Sequence, residues 1–296
     1  MAKLKPTAAI SKCDLLEFLG TYSDFSFELA VLNMLRGYDI ACEHSGLYDD
    51  PVTNKSREFD IRATVAIDQF RVRMPIECKN IRENFPILVS CVPRHVHETY
   101  HQIAFVKEPT TYYGVSAAII PPQSRAKIYS IREQHSLYKG NEPVGKSTVQ
   151  VGRTSDGSIS TNDTELYEKW GQCLSSANDL VKRVYSDGSN DEAPYLSAVV
   201  PFVVVPNGRL WTVMYDGNGT RADDPKETSR VSCFINKDYR MGNQIAGATM
   251  WLSHMEIVTF DGLKTFVEEH LSDQIGMQKI FPPEGIFAAI DAQNKA

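Results

Sequence analysis

Between residues 59 and 79 the chain alternates twice. Phe59, Ile61, Ala63, Val65 and Ile67 are interleaved with Asp60, Arg62, Thr64 and Ala66; Val72, Met74, Ile76 and Cys78 are interleaved with Arg71, Arg73, Pro75, Glu77 and Lys79. Side chains on a strand point to opposite faces with a period of two, so each run reads as a strand with one apolar face. Only a tight connection fits near Gln69. The pair therefore predicts a β-hairpin. If Asp68 and Arg71 close a two-residue turn, Asp60 lies opposite Lys79 and Arg62 opposite Glu77. That register keeps the apolar residues together, as burial requires.

Asp60, Glu77 and Lys79 then share the other face. Opposed side chains have Cβ atoms about 5 Å apart and diagonal ones about 7 Å. Two carboxylates at that separation can share one divalent ion, and hard oxygen ligands suit Mg²⁺ or Mn²⁺. A neighbouring lysine is placed to meet a phosphate or an attacking water. Glu28 adds a carboxylate on the apolar side of a helix, sharing a face with Phe25, Leu32 and Leu35. Such a group needs a partner or a cavity. Two ordinary salt bridges, Asp60 to Lys79 and Glu77 to Arg62, are the structural alternative, and such pairs stabilise little.

The rest of the chain supplies context. Residues 13–20 predict a short helix, and a second runs from Asp24 as N-cap to Arg36, ended by Gly37. Residues 38–43 predict a strand and 44–56 a loop rich in Gly, Asp, Pro and Asn. A helix is expected over 94–107, a strand over 115–120, and a loop-like stretch over 139–162 with a strand at 147–151. A helix follows from Asp163 to Tyr185. Strands 197–205 and 209–215 flank Pro206-Asn207-Gly208, a hairpin signal. Strands at 230–235 and 254–260 and a helix at 262–271 come last, with the final 20 residues expected to pack outside or fray. These elements describe one α/β domain over 1–296, its core at about 13–275 and an insertion at 86–160.

The segments Phe27-Glu28-Leu29-Ala30, Phe59-Asp60-Ile61-Arg62 and Pro75-Ile76-Glu77-Cys78-Lys79 resemble the PD-(D/E)xK, or restriction-endonuclease-like, nuclease superfamily. That family orders a Glu-bearing helix, a strand with a metal-binding Asp and a strand with Glu-x-Lys; Phe59 stands where its first motif often has proline. The resemblance covers residues 24–80. It implies a mixed central β-sheet flanked by α-helices, with insertions. It further implies Mg²⁺ or Mn²⁺ held by Asp60, Glu77 and the Cys78 backbone carbonyl, with Glu28 binding through water or at a second metal. Lys79 would orient or deprotonate the nucleophile, and Gln172 would match an auxiliary glutamine. The implied activity is endonucleolytic cleavage of DNA, with RNA the alternative substrate, in restriction or anti-phage defence. A homodimer would cut both strands, and a partner protein would supply specificity. A non-catalytic nucleic-acid-binding or assembly subunit with the same fold is the competing reading.

Two further motifs point elsewhere. His97-Glu98-Thr99-Tyr100-His101 matches the HExxH zinc-protease pattern, which needs a helix to set its histidines one turn apart. Ala104 breaks the longer form of that motif, and no third ligand stands out. Gly140 to Ser147 matches GxxxxGK[ST], but a phosphate loop must follow a buried strand and open a helix, and the flanking residues do neither.

The net charge of −6 looks wrong for a polyanion binder, yet residues 55–153 carry 15 Lys+Arg against 9 Asp+Glu and four of the seven histidines. A basic segment around the candidate site suits nucleic acid. The six cysteines show no CxxC spacing. No apolar run spans a bilayer and the N-terminus lacks a signal-peptide pattern, so a cytoplasmic protein is expected.

Overall fold

The computed structural model describes residues 9–21, 23–50, 52–106, 126–154, 156–161, 164–184, 194–241 and 248–283. Two helices come first, α1 (Lys12–Thr21) and α2 (Phe25–Arg36). Next are β1 (Ala41–Asp49), β2 (Ser56–Ile67), β3 (Phe70–Cys78), β4 (Ile87–Pro93), β5 (Tyr100–Val106), β6 (Ala126–Arg132), β7 (Pro143–Arg153) and β8 (Ile159–Thr161). The helix α3 (Thr164–Arg183) precedes β9 (Tyr195–Val199), β10 (Phe202–Val205), β11 (Leu210–Met214), β12 (Lys226–Glu227), β13 (Arg230–Arg240) and β14 (Thr249–Thr259), and α4 (Phe260–His270) and α5 (Gln274–Met277) close the described chain.

The strands join in one mixed sheet with the order β12-β11-β4-β7-β13-β14-β10-β3-β9-β5-β6; β1 and β2 extend from β3, and β8 pairs with β7. Strands from residues 86–160 are thus built into the sheet on both sides of β3. β10 and β11 lie five places apart in that order. Five strand spacings in a flat sheet would need about 24 Å. The short link from Val205 to Leu210 reaches at most about 18 Å. The sheet must therefore curl. Among the described residues helices are few: α2 and α4 pack with the core of Val31, Leu32, Ile61, Met74, Ile76, Phe202 and Phe266, while α3 covers the other face at Cys173, Val203 and Met255. Among the described residues, no helix is long and apolar enough to cross a membrane.

The hairpin forms as expected, but its register differs. Ile67 pairs with Phe70 and Ile61 with Ile76, so the turn is Asp68-Gln69. Asp68 adopts φ +50°, a conformation Asp tolerates better than most residues. Continuing the ladder by one residue sets Asp60 level with Glu77, and Arg62 pairs with Pro75. The two-residue shift preserves which face each side chain takes.

Several other expectations are corrected. Residues 44–49 are not loop but part of β1, paired with β2 through Asp49–Ser56. Gly46 serves packing rather than a turn: a Cβ there would lie 2.4 Å from the ring of Phe59, which is itself buried. Gly46→Ala is expected to cost about 1–3 kcal/mol in urea denaturation through overpacking, and an unchanged midpoint would contradict this packing. Gly37 does not take a left-handed cap conformation; Asp39, at φ +56°, makes the turn into β1. Asp24 precedes α2 without a side-chain cap bond.

The helix expected over 94–107 is instead a single 3₁₀ turn at Val96–Glu98 and the strand β5. Tyr100, Ile103 and Phe105 favour extended backbone, and β5 finds partners in β6 and β9. The strand at 147–151 grows to Pro143–Arg153, and β8 replaces loop at 159–161. The expected 197–205 strand is split between β9 and β10, with the prolyl residue Pro201 between them; both pair with β3. Asn207-Gly208 turns the chain without forming a hairpin, since β11 pairs with β4 and β12. The C-terminal segment does not simply lie outside, because Met277, Ile280 and Phe281 are buried in the main core. The strand expected at 115–120 lies outside the described residues.

Candidate functional site

The hairpin delivers Asp60 and Glu77 to the face covered by α3, and α3 delivers Lys169 between them. Lys169 Nζ donates to Asp60 Oδ2 at 2.6 Å and to Glu77 Oε2 at 3.4 Å. Asp60 Oδ2 also accepts from the backbone N–H of Cys78 at 2.8 Å. In extended backbone, the N–H and C=O of one residue leave the chain on the same side, so the Cys78 carbonyl is directed with its N–H toward Asp60. Glu77 is 1% exposed, and its Oε1 has no hydrogen-bond partner among the described residues.

Electrostatics follow from this burial. Desolvation raises the Glu77 carboxyl well above the ordinary range, and nearby Asp60 raises it further while Lys169 opposes the shift. Glu28 on α2 is raised for the same first reason, burial, and next by Asp60. Its Oε2 lies 3.5 Å from His44 Nε2 on β1. Lys169 is raised despite desolvation because Asp60 and Glu77 hold its proton.

Lys79 lies at the end of the same strand. Its Nζ is 3.3 Å from Asp24 Oδ2, at the start of α2. Asp24 Oδ1 accepts from Asn80 N–H at 2.8 Å, so the α2 entrance is tied to the end of β3. The structure thus gathers Asp60, Glu77 and Lys169 into direct contact, sets Glu28 in their electrostatic field, and pairs Lys79 with Asp24. Gln172, one turn beyond Lys169 on α3, is partly buried, and its backbone carbonyl lies 3.4 Å from the Tyr48 hydroxyl. Neither simple salt bridge of the structural alternative forms as expected. Arg62 instead contacts Asp179 at 2.7 Å and Ser176 at 3.0 Å, with its guanidinium over Phe59.

Lys169 was missed by sequence reasoning although a signal existed. Leu166, Cys173, Ala177 and Leu180 form a buried stripe on α3. Lys169 falls on that stripe, three residues after Leu166 and four before Cys173. A lysine there must find an acidic partner across the interface.

The donors fit a hard divalent cation: two carboxylates already converge on one positive charge, and the orphaned Glu77 Oε1 leaves lone pairs unused in a buried setting. Among the described residues, no trio of His, Cys, Asp or Glu side chains could hold a metal ion alone. The Cys78 carbonyl and water would have to complete the set.

The other two motifs lose their structural basis. His97 is exposed on the 3₁₀ turn, whereas His101 is buried on β5, where its Nε2 lies 2.8 Å from the Ile280 carbonyl. Residues 140–147 run into β7 rather than a helix, and Lys146 pairs with Glu98. In comparisons with family models, curated proteins and solved structures, nothing matches this chain.

Proposed function

We propose that this chain is a metal-dependent nuclease of the restriction-endonuclease-like kind, acting on DNA. The observation that carries the reading is the convergence of Asp60 and Glu77 on a single cation at the end of a β-hairpin. The helix-strand-hairpin order from α2 to β3 supports it, with Glu28 facing the pair electrostatically. Asp60, Glu77 and the Cys78 carbonyl would hold Mg²⁺ or Mn²⁺. When bound, such an ion supplies Lewis acidity and a nucleophilic water of lowered pKa. Asp60 is oriented by the Cys78 N–H, so its carboxylate is positioned before any ligand arrives. Lys169 bridges the two carboxylates in the absence of metal and can swing toward a phosphate oxygen once displaced. Lys79, at the strand end, would orient the attacking water or stabilise charge on the phosphate.

Lys169 also favours a second reading. A lysine that already bridges both acids suits a structural ion network in a non-catalytic nucleic-acid-binding or assembly subunit. Supercoiled plasmid incubated with Mg²⁺ separates the two. The nuclease reading expects nicking or linearisation that EDTA stops and that Asp60→Ala removes. Cleavage undiminished in Asp60→Ala would refute it, and binding of DNA without cleavage in Mg²⁺ or Mn²⁺ would favour the second. Roles in restriction or anti-phage defence, homodimer formation and specificity from a partner protein rest on this reading.

A further inference from the structure

A second polar site lies on the opposite face of the sheet. Ile76, Phe202, Glu256 and Ser232 sit side by side on β3, β10, β14 and β13. Phe202 packs edge-on against Phe266 of α4, which places this row beneath α4. Glu77, the next residue after Ile76, faces α3. A cavity of about 500 Å³ opens on the α4 side, bounded by Arg94, Tyr138, Lys139, Glu142, Arg230 and His270. Thr212, Thr228 and Ser232 add hydroxyls to its wall. A smaller neighbouring cavity of about 290 Å³ shares Lys139 and His270 and brings Lys279 to the rim.

Arg94 is the central group. It is 3% exposed, and its Nε has no partner among the described residues. Its other nitrogens reach the Lys139 carbonyl at 2.7 Å, Glu142 Oε2 at 3.0 Å, the Pro143 carbonyl at 3.4 Å and Ser232 Oγ. Glu142 Oε2 also accepts from the Lys139 backbone N–H at 3.3 Å. Its side chain is 53% exposed, so the carboxylate can leave. Arg230 is held by the buried Glu256 at 2.8 Å and lies over the Phe266 ring. That guanidinium is fixed at the cavity wall.

We infer that this cavity binds a phosphorylated small molecule of nucleotide size, whose phosphate takes the place on Arg94 and the Lys139 N–H now held by the Glu142 carboxylate. A cavity of this volume suits a small organic ligand. The planar guanidinium matches phosphate oxygens in pairs; Lys139, whose Nζ donates to the Gln134 carbonyl at 2.7 Å, adds a positive charge at the rim, while Arg230 is neutralised by Glu256. The hydroxyls can accept or donate to a sugar. The site does not depend on the nuclease reading, since the sheet separates it from Asp60 and Glu77.

Calorimetry with AMP and adenosine on the full chain at low salt tests the inference. The wild type is expected to bind AMP at least about 10-fold more tightly than adenosine, because phosphate contacts carry the affinity. Glu142→Gln removes the competing carboxylate and should tighten AMP binding about 10-fold. Arg94→Gln should weaken it by at least as much. Should Arg94→Gln fail to fold, Lys139→Gln, at an exposed position, removes the nearby ammonium and should weaken AMP binding by a smaller but measurable factor, since the backbone N–H stays. Asp60→Ala should bind AMP like the wild type. Equal binding of AMP and adenosine, no AMP binding by wild type and Glu142→Gln alike, or affinity indifferent to Glu142→Gln and Lys139→Gln would each overturn it. So would binding of a DNA oligonucleotide at these residues with none of AMP.

Discussion

Lys169→Met is expected to destabilise the metal-free protein by about 3 kcal/mol at neutral pH and to tighten Mn²⁺ binding at the same time. Removing one partner of a buried ion pair costs about 3–5 kcal/mol, because the other charge stays buried without compensation. Here two acids would be stranded, Asp60 and Glu77, of which Glu77 is almost fully enclosed. The lower end of the range applies because the side chains of Lys169 and Asp60 are 15% and 13% exposed. Methionine keeps the length and helix preference of lysine, so α3 itself should persist. The ammonium and a divalent ion compete for the same oxygens, so deleting the ammonium raises metal affinity. Urea denaturation in EDTA measures the loss, and the same titration with Mn²⁺ should recover most of it. If stability and Mn²⁺ affinity both stay at wild-type values, Lys169 does not neutralise the pair, and the site as described is wrong.

The second large effect is acid sensitivity above the usual carboxylate range. His101 is depressed to about 4 by burial, opposed by its bond to the Ile280 carbonyl and helped by Lys139. His270 is depressed to about 4 by burial, then Arg230 and Lys279. His254 falls to about 2 through burial, then Arg94, His101 and Lys146. Geometry explains why His101 resists a second proton. Its Nδ1 accepts from the Leu137 N–H at 3.1 Å, while Nε2 faces the Ile280 carbonyl at 2.8 Å. The neutral ring therefore carries its hydrogen on Nε2, and protonating Nδ1 would break the Leu137 bond. All three histidines are neutral when folded and take up protons more readily when unfolded. Their stabilisation is intact above pH about 6.5 and is lost as pH falls toward the folded values. At pH 5 the loss is about 2 kcal/mol for each histidine with a folded value near 4. Urea midpoints should drop steadily from pH 7 to pH 5, less steeply in His101→Gln. Glu77 and Glu28, raised in the folded state, act in the opposite direction, so the test is the difference between variants: a profile as steep in His101→Gln as in the wild type would show that the His101 ring is not buried neutral.

The local parts of the fold were legible in the sequence because they depend on neighbours. The β2–β3 alternation, the helix before it and the long helix after residue 163 each carry a period of 2 or 3.6 that survives any tertiary arrangement. For the same reason Asp60 and Glu77 could be placed on one face before their register was known. What could not be read depends on distant partners. Lys169 meets the acids only because α3 lies across β3. Tyr100 to Val106 becomes a strand because β9 and β6 are there to receive it. Asn207-Gly208 signals a turn correctly, but the curl of the sheet decides that β11 pairs with β4 rather than β10. Arg94 and Glu142 are 48 residues apart, and no local pattern connects them.

The distance along the chain between the acids and their counter-charge has a consequence for synthesis. Glu77 and Lys169 are separated by 92 residues. At about 5–20 residues per second, a ribosome needs roughly 5–20 s to travel that far. A hairpin closes in microseconds. The strand pair carrying both carboxylates can therefore form long before α3 has been made, and it must wait with its polar face hydrated. Pairings between distant strands add to the delay. Burial of the acidic pair is thus a late event in this chain's life, completed only when α3 arrives with the lysine that makes burial tolerable.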